Sequence, residues 1–224
     1  MQEKLLDIIQ QGHRWVVINK PAGIGTESNF TNDTVEARAQ VQWKRPRSTK
    51  RPFVGIVHRL DRPVSGALLL AQNKSTLVAL NSAFAGKKTK KIYWALTDLP
   101  LPAEAGTLRH YLARDKGGRK AIAAIRPLPK AKESILHYRL VGRVGQGFHY
   151  EVVPITGRFH QIRIQLATAG APIIGDVTYG SKRIAEPNTI RLHARELSFP
   201  TPEGDTITVA APVPDTWPDL RANV

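Results

Sequence analysis

The sequence predicts an α+β fold: a mixed, mainly antiparallel central sheet with flanking helices and loops. Apolar or alternating runs of strand length recur along the 224 residues, while helical spacing is confined to a few segments. The two do not alternate in the regular βαβ order of a parallel sheet. No internal repeat and no low-complexity tract interrupts the pattern. A single domain over residues 1–224 is expected, with its core at about 15–213 and a basic insertion at about 29–53.

Trp15-Val16-Val17-Ile18 is a short apolar run halted by Lys20-Pro21-Ala22-Gly23, which reads as a buried strand entering a turn. Residues 29–53 are polar and basic and contain Pro46 and Pro52, so a loop with at most a short helix is expected there. Ala67-Leu68-Leu69-Leu70-Ala71 is a second apolar strand. Leu77, Leu80 and Phe84 then recur at helical spacing, and Gly86 stands where a C-terminal cap belongs. Ile92, Trp94 and Leu96 alternate with Tyr93, Ala95 and Thr97, the period-two pattern of a half-buried strand. This pattern turns Tyr93 away from Ile92 and Trp94, which are expected to face the core.

Further strands are expected near 107–112, 120–125, 134–141 and 148–155, with Gly142, Gly145 and Gly147 punctuating the last pair as a hairpin. Those glycines are not a phosphate-binding loop, because a strand and not a helix follows them. The periodicity of 159–169 is ambiguous, although Ile162, Leu166 and Ala169 share a helical face that Gly170-Ala171-Pro172 would end. Leu192 to Phe199 and Thr206 to Ala210 are expected as closing strands.

Composition narrows the function. At 42% hydrophobic residues the chain can bury a core, so it is not a disordered basic tail. No apolar run reaches the roughly 20 residues of a bilayer span, and the start Met1-Gln2-Glu3-Lys4-Leu5-Leu6 lacks the pattern of a secretory signal. Without Cys there is no disulfide framework, thiolate metal site or Cys nucleophile, which fits a reducing compartment and a cytoplasmic location.

Lys and Arg number 33 against 18 Asp and Glu, a formal charge of +15. The positive residues cluster at Lys44, Arg45, Arg47, Lys50 and Arg51, at Lys87, Lys88, Lys90 and Lys91, and from Arg114 through Lys116, Arg119, Lys120, Arg126 and Lys130 to Lys132. Three clusters of one sign favour nucleic acid over a merely solvated face. An anionic membrane is the weaker partner, since no basic segment has a long apolar face.

The common catalytic signatures are missing: there is no G-x-S-x-G, P-loop, H-E-x-x-H or EF-hand sequence. Acidic residues are sparse, which draws attention to Asp61 in Val57-His58-Arg59-Leu60-Asp61-Arg62-Pro63-Val64-Ser65-Gly66. Arg59 and Arg62 flank it, and opposite charge within about 4–6 Å favours the carboxylate form. Such a group can act as nucleophile or general base; a structural ion pair or a helix cap explains the same local pattern. A second dense segment is Thr156-Gly157-Arg158-Phe159-His160-Gln161-Ile162-Arg163. It suits a phosphate-binding helix as well as an active site.

Together these two segments resemble the signature motifs of the RluA family of RNA pseudouridine synthases. The family's H-R-L-D-x-x-T/S-S-G is met by His58-Arg59-Leu60-Asp61 with Ser65-Gly66, and its T-G-R-x-H-Q-I/L-R by Thr156-Gly157-Arg158 with His160-Gln161-Ile162-Arg163. Lys91-Ile92-Tyr93-Trp94-Ala95-Leu96 resembles K-x-Y-x-A-L. Asn19-Lys20-Pro21-Ala22-Gly23, the segment Gly170–Asp176 with Tyr179-Gly180, and Leu192-His193-Ala194 with Phe199 resemble further family motifs in the same order. Val64 stands where Thr is usual, and Phe159 replaces a common Thr or Ser. The core begins by about residue 15, so the expectation is a compact member without the N-terminal S4-type domain that several relatives carry.

The resemblance implies isomerisation of specific uridines in structured ribosomal or transfer RNA to pseudouridine, with Asp61 as the catalytic carboxylate. The N1–C1′ bond breaks, the uracil turns, and C5 rejoins the ribose; nothing is oxidised, so no metal or other cofactor is expected. By the same resemblance Arg163 pairs with Asp61 and orients it, and Tyr93 stacks on the target base. Arg59, Arg62, Lys91, Arg158, His160 and Gln161 are implied RNA contacts, Arg62 being preferred over Arg59 for filling the gap left by the extracted nucleotide. Asp176, following Gly175, is read as a turn residue. The implied partner is an RNA stem-loop, with no membrane, no obligate protein partner and a monomeric state expected. A non-catalytic RNA-binding module of the same fold is the alternative; a glycosidase would need a second carboxylate.

Overall fold

The computed structural model describes residues 5–28, 33–218 and 220. Residues 1–4, read above as lacking a signal, and 29–32, the start of the expected insertion, lie outside them. In chain order the elements are β1 (Asp7–Gln11), β2 (Trp15–Lys20), α1 (Val35–Gln42), β3 (Gly55–Ile56), β4 (Ser65–Ala71), α2 (Lys74–Ala85), β5 (Lys90–Thr97), β6 (Ala105–Arg114), β7 (Ala121–Ala124), β8 (Lys132–Val144), β9 (Gly147–Pro154), α3 (Gln161–Thr168), β10 (Leu192–Pro200) and β11 (Thr206–Ala210). Among the described residues many strands and three α-helices make this the expected α+β class. No helix among the described residues is long and apolar enough to cross a membrane.

Contacts divide the chain into two compact units, residues 1–91 with 194–214, and residues 92–193 with 215–224. In the first, β1 pairs with β2 and β2 with β4, both antiparallel; β3 also lies on β4, β10 neighbours β4, and β11 pairs with β10. All seven residues of β4 are buried, which is why its sequence reads as a continuous apolar run and not as an alternation. Trp15, Val17, Leu69, Leu80, Leu197, Phe199 and Val209 form the core, with Trp15 and Phe199 edge to face at 5.3 Å. Fully burying each large apolar side chain contributes about 1.5–3 kcal/mol.

The helix α2 follows the expected spacing. Its N-cap Asn73 accepts the Thr76 amide at 2.8 Å, and Gly86 caps the other end. In the basic insertion, Thr34 caps the short helix α1 by accepting the Ala37 amide at 3.2 Å. The strand β1 was not foreseen: Asp7-Ile8-Ile9-Gln10-Gln11 is mostly exposed and carries no periodic signal, so only its pairing with β2 defines it.

In the second unit five strands run antiparallel in the order β5-β9-β8-β6-β7. The hairpin β8–β9 forms at the expected glycines, with Val144 opposite Gly147 and a bulge between Leu140 and Gly142. Leu136, Tyr150, Val152, Leu166 and Ile173 are buried in this unit. The ambiguous segment resolves into α3, which packs against β6 and β7. The expected alternation along β5 is not kept. Ile92, Tyr93 and Trp94 are all half-buried, and Ala95, Leu96 and Thr97 are all buried. The half-buried Trp94 ring meets the buried His149 edge to face at 5.0 Å.

Candidate active site

Asp61 sits in a turn that the strand β2 anchors from below. The Val64 amide donates to the Asp61 carbonyl at 3.0 Å, closing the turn, and the Gly23 amide donates to the Arg62 carbonyl at 2.8 Å. Arg62 returns the bond, its Nε donating to the Gly23 carbonyl at 2.8 Å, so the two loops are stitched in both directions. Thr26 does the same one residue before Asp61: its hydroxyl donates to the Leu60 carbonyl at 2.9 Å and accepts the Leu60 amide at 3.3 Å.

Lys20, the last residue of β2, completes the support. Its side chain is fully buried, and its ammonium donates to the carbonyls of Pro21 at 2.8 Å, Val64 at 2.8 Å and Arg62 at 3.3 Å. Three donors meet three acceptors, and two of the acceptors belong to the turn that carries Asp61. Burial pushes the ammonium down from 10.5 to about 7; the Asp61 carboxylate pulls it up, and the Arg38 guanidinium adds to the lowering. Lys20 was visible in the sequence only as part of a motif. Its signal was a charged residue ending an apolar strand just before Pro21, which gives no hint that the charge turns inward.

The residues of the Asp61 motif, with Lys91, divide between scaffold and surface. His58 is half-buried and stacks on Phe84 at 4.9 Å, and its Nε2 accepts the Leu69 amide at 3.1 Å, which requires a neutral ring nitrogen. Burial, with the Lys91 charge adding to it, lowers His58 from 6.5 to about 3. Burial also lowers Lys91, whose ammonium stands 6.0 Å from the Phe84 ring. Gly66 is required by space: at φ 115° a Cβ would lie 2.3 Å from the Ala194 carbonyl oxygen. Asp61 itself is half-buried, whereas Arg59 and Arg62 are exposed. Arg59 pairs with Glu27 at 3.1 Å across solvent-exposed side chains, an interaction worth little by itself.

The remaining sequence-selected residues, Tyr93, Arg158, His160, Gln161 and Arg163, belong to the second unit. Gln161 is scaffold: its Oε1 accepts the Thr156 hydroxyl at 2.8 Å and the Arg158 amide at 2.9 Å, and its Nε2 donates to the Ile135 carbonyl at 3.1 Å. It therefore fixes the loop between β9 and α3 and is buried while doing so. His160 adopts the left-handed conformation, φ 52°, at the entrance to α3. Its ring stacks on Phe159 at 3.8 Å, and its Nδ1 shares a 2.7 Å hydrogen bond with the Tyr179 hydroxyl, which also accepts the Ala121 amide at 2.8 Å. Tyr93 is half-buried on β5 opposite Val152 of β9.

Arg163 is 5% exposed and forms a two-point pair with Asp176, Nε to Oδ2 at 2.7 Å and Nη2 to Oδ1 at 2.9 Å. Its guanidinium carbon lies 5.1 Å from the Tyr179 ring. Asp176 is indeed a turn residue, its carbonyl accepting the Tyr179 and Ser181 amides, but its carboxylate has this further task. That partnership was missed because nothing in the sequence selects Asp176 over the other carboxylates as the partner of a particular arginine.

Residues 14–168 match the family described as RNA pseudouridylate synthase. An RNA pseudouridine synthase of Synechocystis is 31% identical over 93% of this chain and 66% of its own length. The ribosomal large subunit pseudouridine synthase D of Neisseria meningitidis is 32% identical over 94% of this chain and 59% of its own. This chain thus spans about two thirds or less of those two relatives. An RNA pseudouridine synthase of Zymomonas mobilis, 32% identical, is covered over 92% of both chains. In fold, the solved structure of human RNA pseudouridylate synthase domain containing 1 aligns over 96% of this chain and 86% of its own with a TM-score of 0.78 at 24% identity. The chain belongs to the RNA pseudouridylate synthase family that its motifs resemble.

Proposed function

We propose that this protein isomerises uridine to pseudouridine in structured ribosomal or transfer RNA, with Asp61 as the catalytic carboxylate. The observation that carries the reading is the support of the Asp61 turn by Lys20, whose buried ammonium holds the carbonyls of Arg62 and Val64. A turn fixed in this way presents the Asp61 carboxylate from a rigid main chain, which limits the positions open to it and so favours attack on a base or a ribose carbon. Tyr93 and Arg163 carry the base-stacking and positioning roles that the resemblance implies, and the exposed Arg62 and Arg158 serve as RNA contacts. Extracting the target base from its stack costs a few kcal/mol, least in loops, and phosphate contacts by the basic surface offset that cost.

Ribosomal and transfer RNA transcribed with [5-³H]uridine provide the test, because the isomerisation releases the C5 proton to water. Release at a defined site by the wild-type chain and a loss of at least about 10³-fold in Asp61→Asn are expected. RNA binding with no tritium release from any transcript would make the chain a non-catalytic RNA-binding module. Full release by Asp61→Asn would remove Asp61 from its role.

A further inference from the structure

A cavity of about 270 Å³ opens on the second unit between β6, the start of β8 and the loop before α3, lined among others by Leu112, Arg114, Lys130, Lys132, Arg158 and Phe159. Four of these six side chains are cations, all four are exposed, and no carboxylate lines the cavity. Among the described residues none of the four takes part in an ion pair, although ion pairs such as Arg109–Glu133, Arg139–Glu151 and Arg163–Asp176 form elsewhere. Holding four like charges around one hollow is unfavourable unless an anion occupies it.

The aromatic residue of the cavity narrows the kind of anion. The Arg114 guanidinium carbon lies 4.1 Å from the Phe159 ring centre, and His160 stacks on Phe159 at 3.8 Å. Arg114 and His160 thus occupy the ring faces that a nucleobase would need for stacking. A guanidinium stacked on an aromatic ring keeps its in-plane N–H donors directed outward, the geometry that suits phosphate oxygens. The cavity is therefore built to read a backbone and not a base.

Resting on the RNA-modifying function proposed above, we propose that this cavity is a backbone subsite that seats at least one phosphodiester of the RNA substrate between Lys130, Lys132, Arg114 and Arg158. It contributes affinity without sequence preference. Phe159, where relatives commonly carry Thr or Ser, is the residue that orients Arg114 toward the phosphate.

The test uses the full chain and fluorescein-labelled transcripts of the RNA that it modifies, with binding followed by anisotropy from 0.05 to 0.5 M KCl, salt concentrations of the order where phosphate contacts are resolved. In Lys130→Gln/Lys132→Gln, the slope of log K against log salt is expected to fall in magnitude by at least about 0.7, and affinity at 0.1 M to fall at least about 5-fold. Both lysines are exposed, so the fold is retained. A charge-matched control, Lys74→Gln/Lys182→Gln, lies outside the cavity and is expected to change affinity less than about twofold, as a surface charge without a direct contact does. If the cavity variant and the control behave alike while the wild-type chain still releases tritium, the subsite is wrong and the function stands. If the variant loses affinity for a polyaspartate peptide but not for RNA, an acidic protein segment is the occupant and the proposal is overturned. If the wild-type chain neither binds nor modifies RNA, both readings fall.

Discussion

The two units each bury a cation, and they do so by opposite means. In the first, Lys20 is surrounded by backbone carbonyls, so its charge is solvated by dipoles and burial dominates its behaviour. In the second, Arg163 is matched by a buried carboxylate through two parallel hydrogen bonds. A lysine held by carbonyls anchors the main chain and titrates near neutrality. An arginine held by a carboxylate fixes a side chain and stays charged at every accessible pH. The first arrangement suits a turn that must present Asp61; the second suits a residue whose charge must persist.

The largest expected effect breaks the second arrangement. Asp176→Ala leaves the Arg163 cation buried without that partner, at a cost of about 3–5 kcal/mol. For a chain of this size that corresponds to a fall of about 10 °C in Tm, measurable by thermal unfolding. A change of only one or two degrees would show that the pair is not what supports Arg163.

The contrast in titration is sharper still. Lys20 takes a proton at about 7 in the folded chain but at 10.5 when unfolded. Between those values the unfolded state binds more protons, so stability rises with pH; below about 7 both states are protonated and the cost of burying the charge is fully present. The Tm of wild type minus that of Lys20→Met is therefore expected to rise by several degrees from pH 7 to 9 and to be flat from pH 5 to 6.5, a window set by the same two values. A flat difference throughout would mean that the three carbonyls compensate for burial. The same variant leaves those carbonyls without their donor, so its tritium release is expected to fall through a looser Asp61 turn.

The smallest effect concerns Phe159. Phe159→Thr removes the ring beneath Arg114, an interaction worth about 0.5–1 kcal/mol at an exposed site, and RNA affinity should weaken about 2- to 5-fold. Equal affinity in titrations of both proteins would free Arg114 from dependence on the ring.

Most strands were legible because their signal is local. Apolar runs such as Leu68-Leu69-Leu70 and glycine punctuation such as Gly145 and Gly147 act over a few residues, and α2 declared itself by spacing and by its terminal Gly86. The exposed β1 and the true burial along β5 were not legible, because a partner strand decides them and not the segment's own pattern. For the candidate site, the motifs located Asp61, Arg163 and their neighbours but could not sort them by task. Gln161 and His58 look as functional in sequence as Arg62 or Arg158, and only their hydrogen bonds to the backbone reveal that they brace the main chain.

By itself the sequence determined the fold class, the family resemblance and the single carboxylate on which the proposed chemistry rests, since these follow from composition, short-range periodicity and ordered motifs. Tertiary structure alone decided that Lys20 turns inward to carbonyls 42 and 44 residues away, that Arg163 takes Asp176, and that Arg114 joins Lys130, Lys132 and Arg158 around one cavity. The reason is physical: the partner of a buried charge is chosen by where the folded backbone leaves an acceptor within hydrogen-bonding distance, and separation along the chain carries almost no information about that distance.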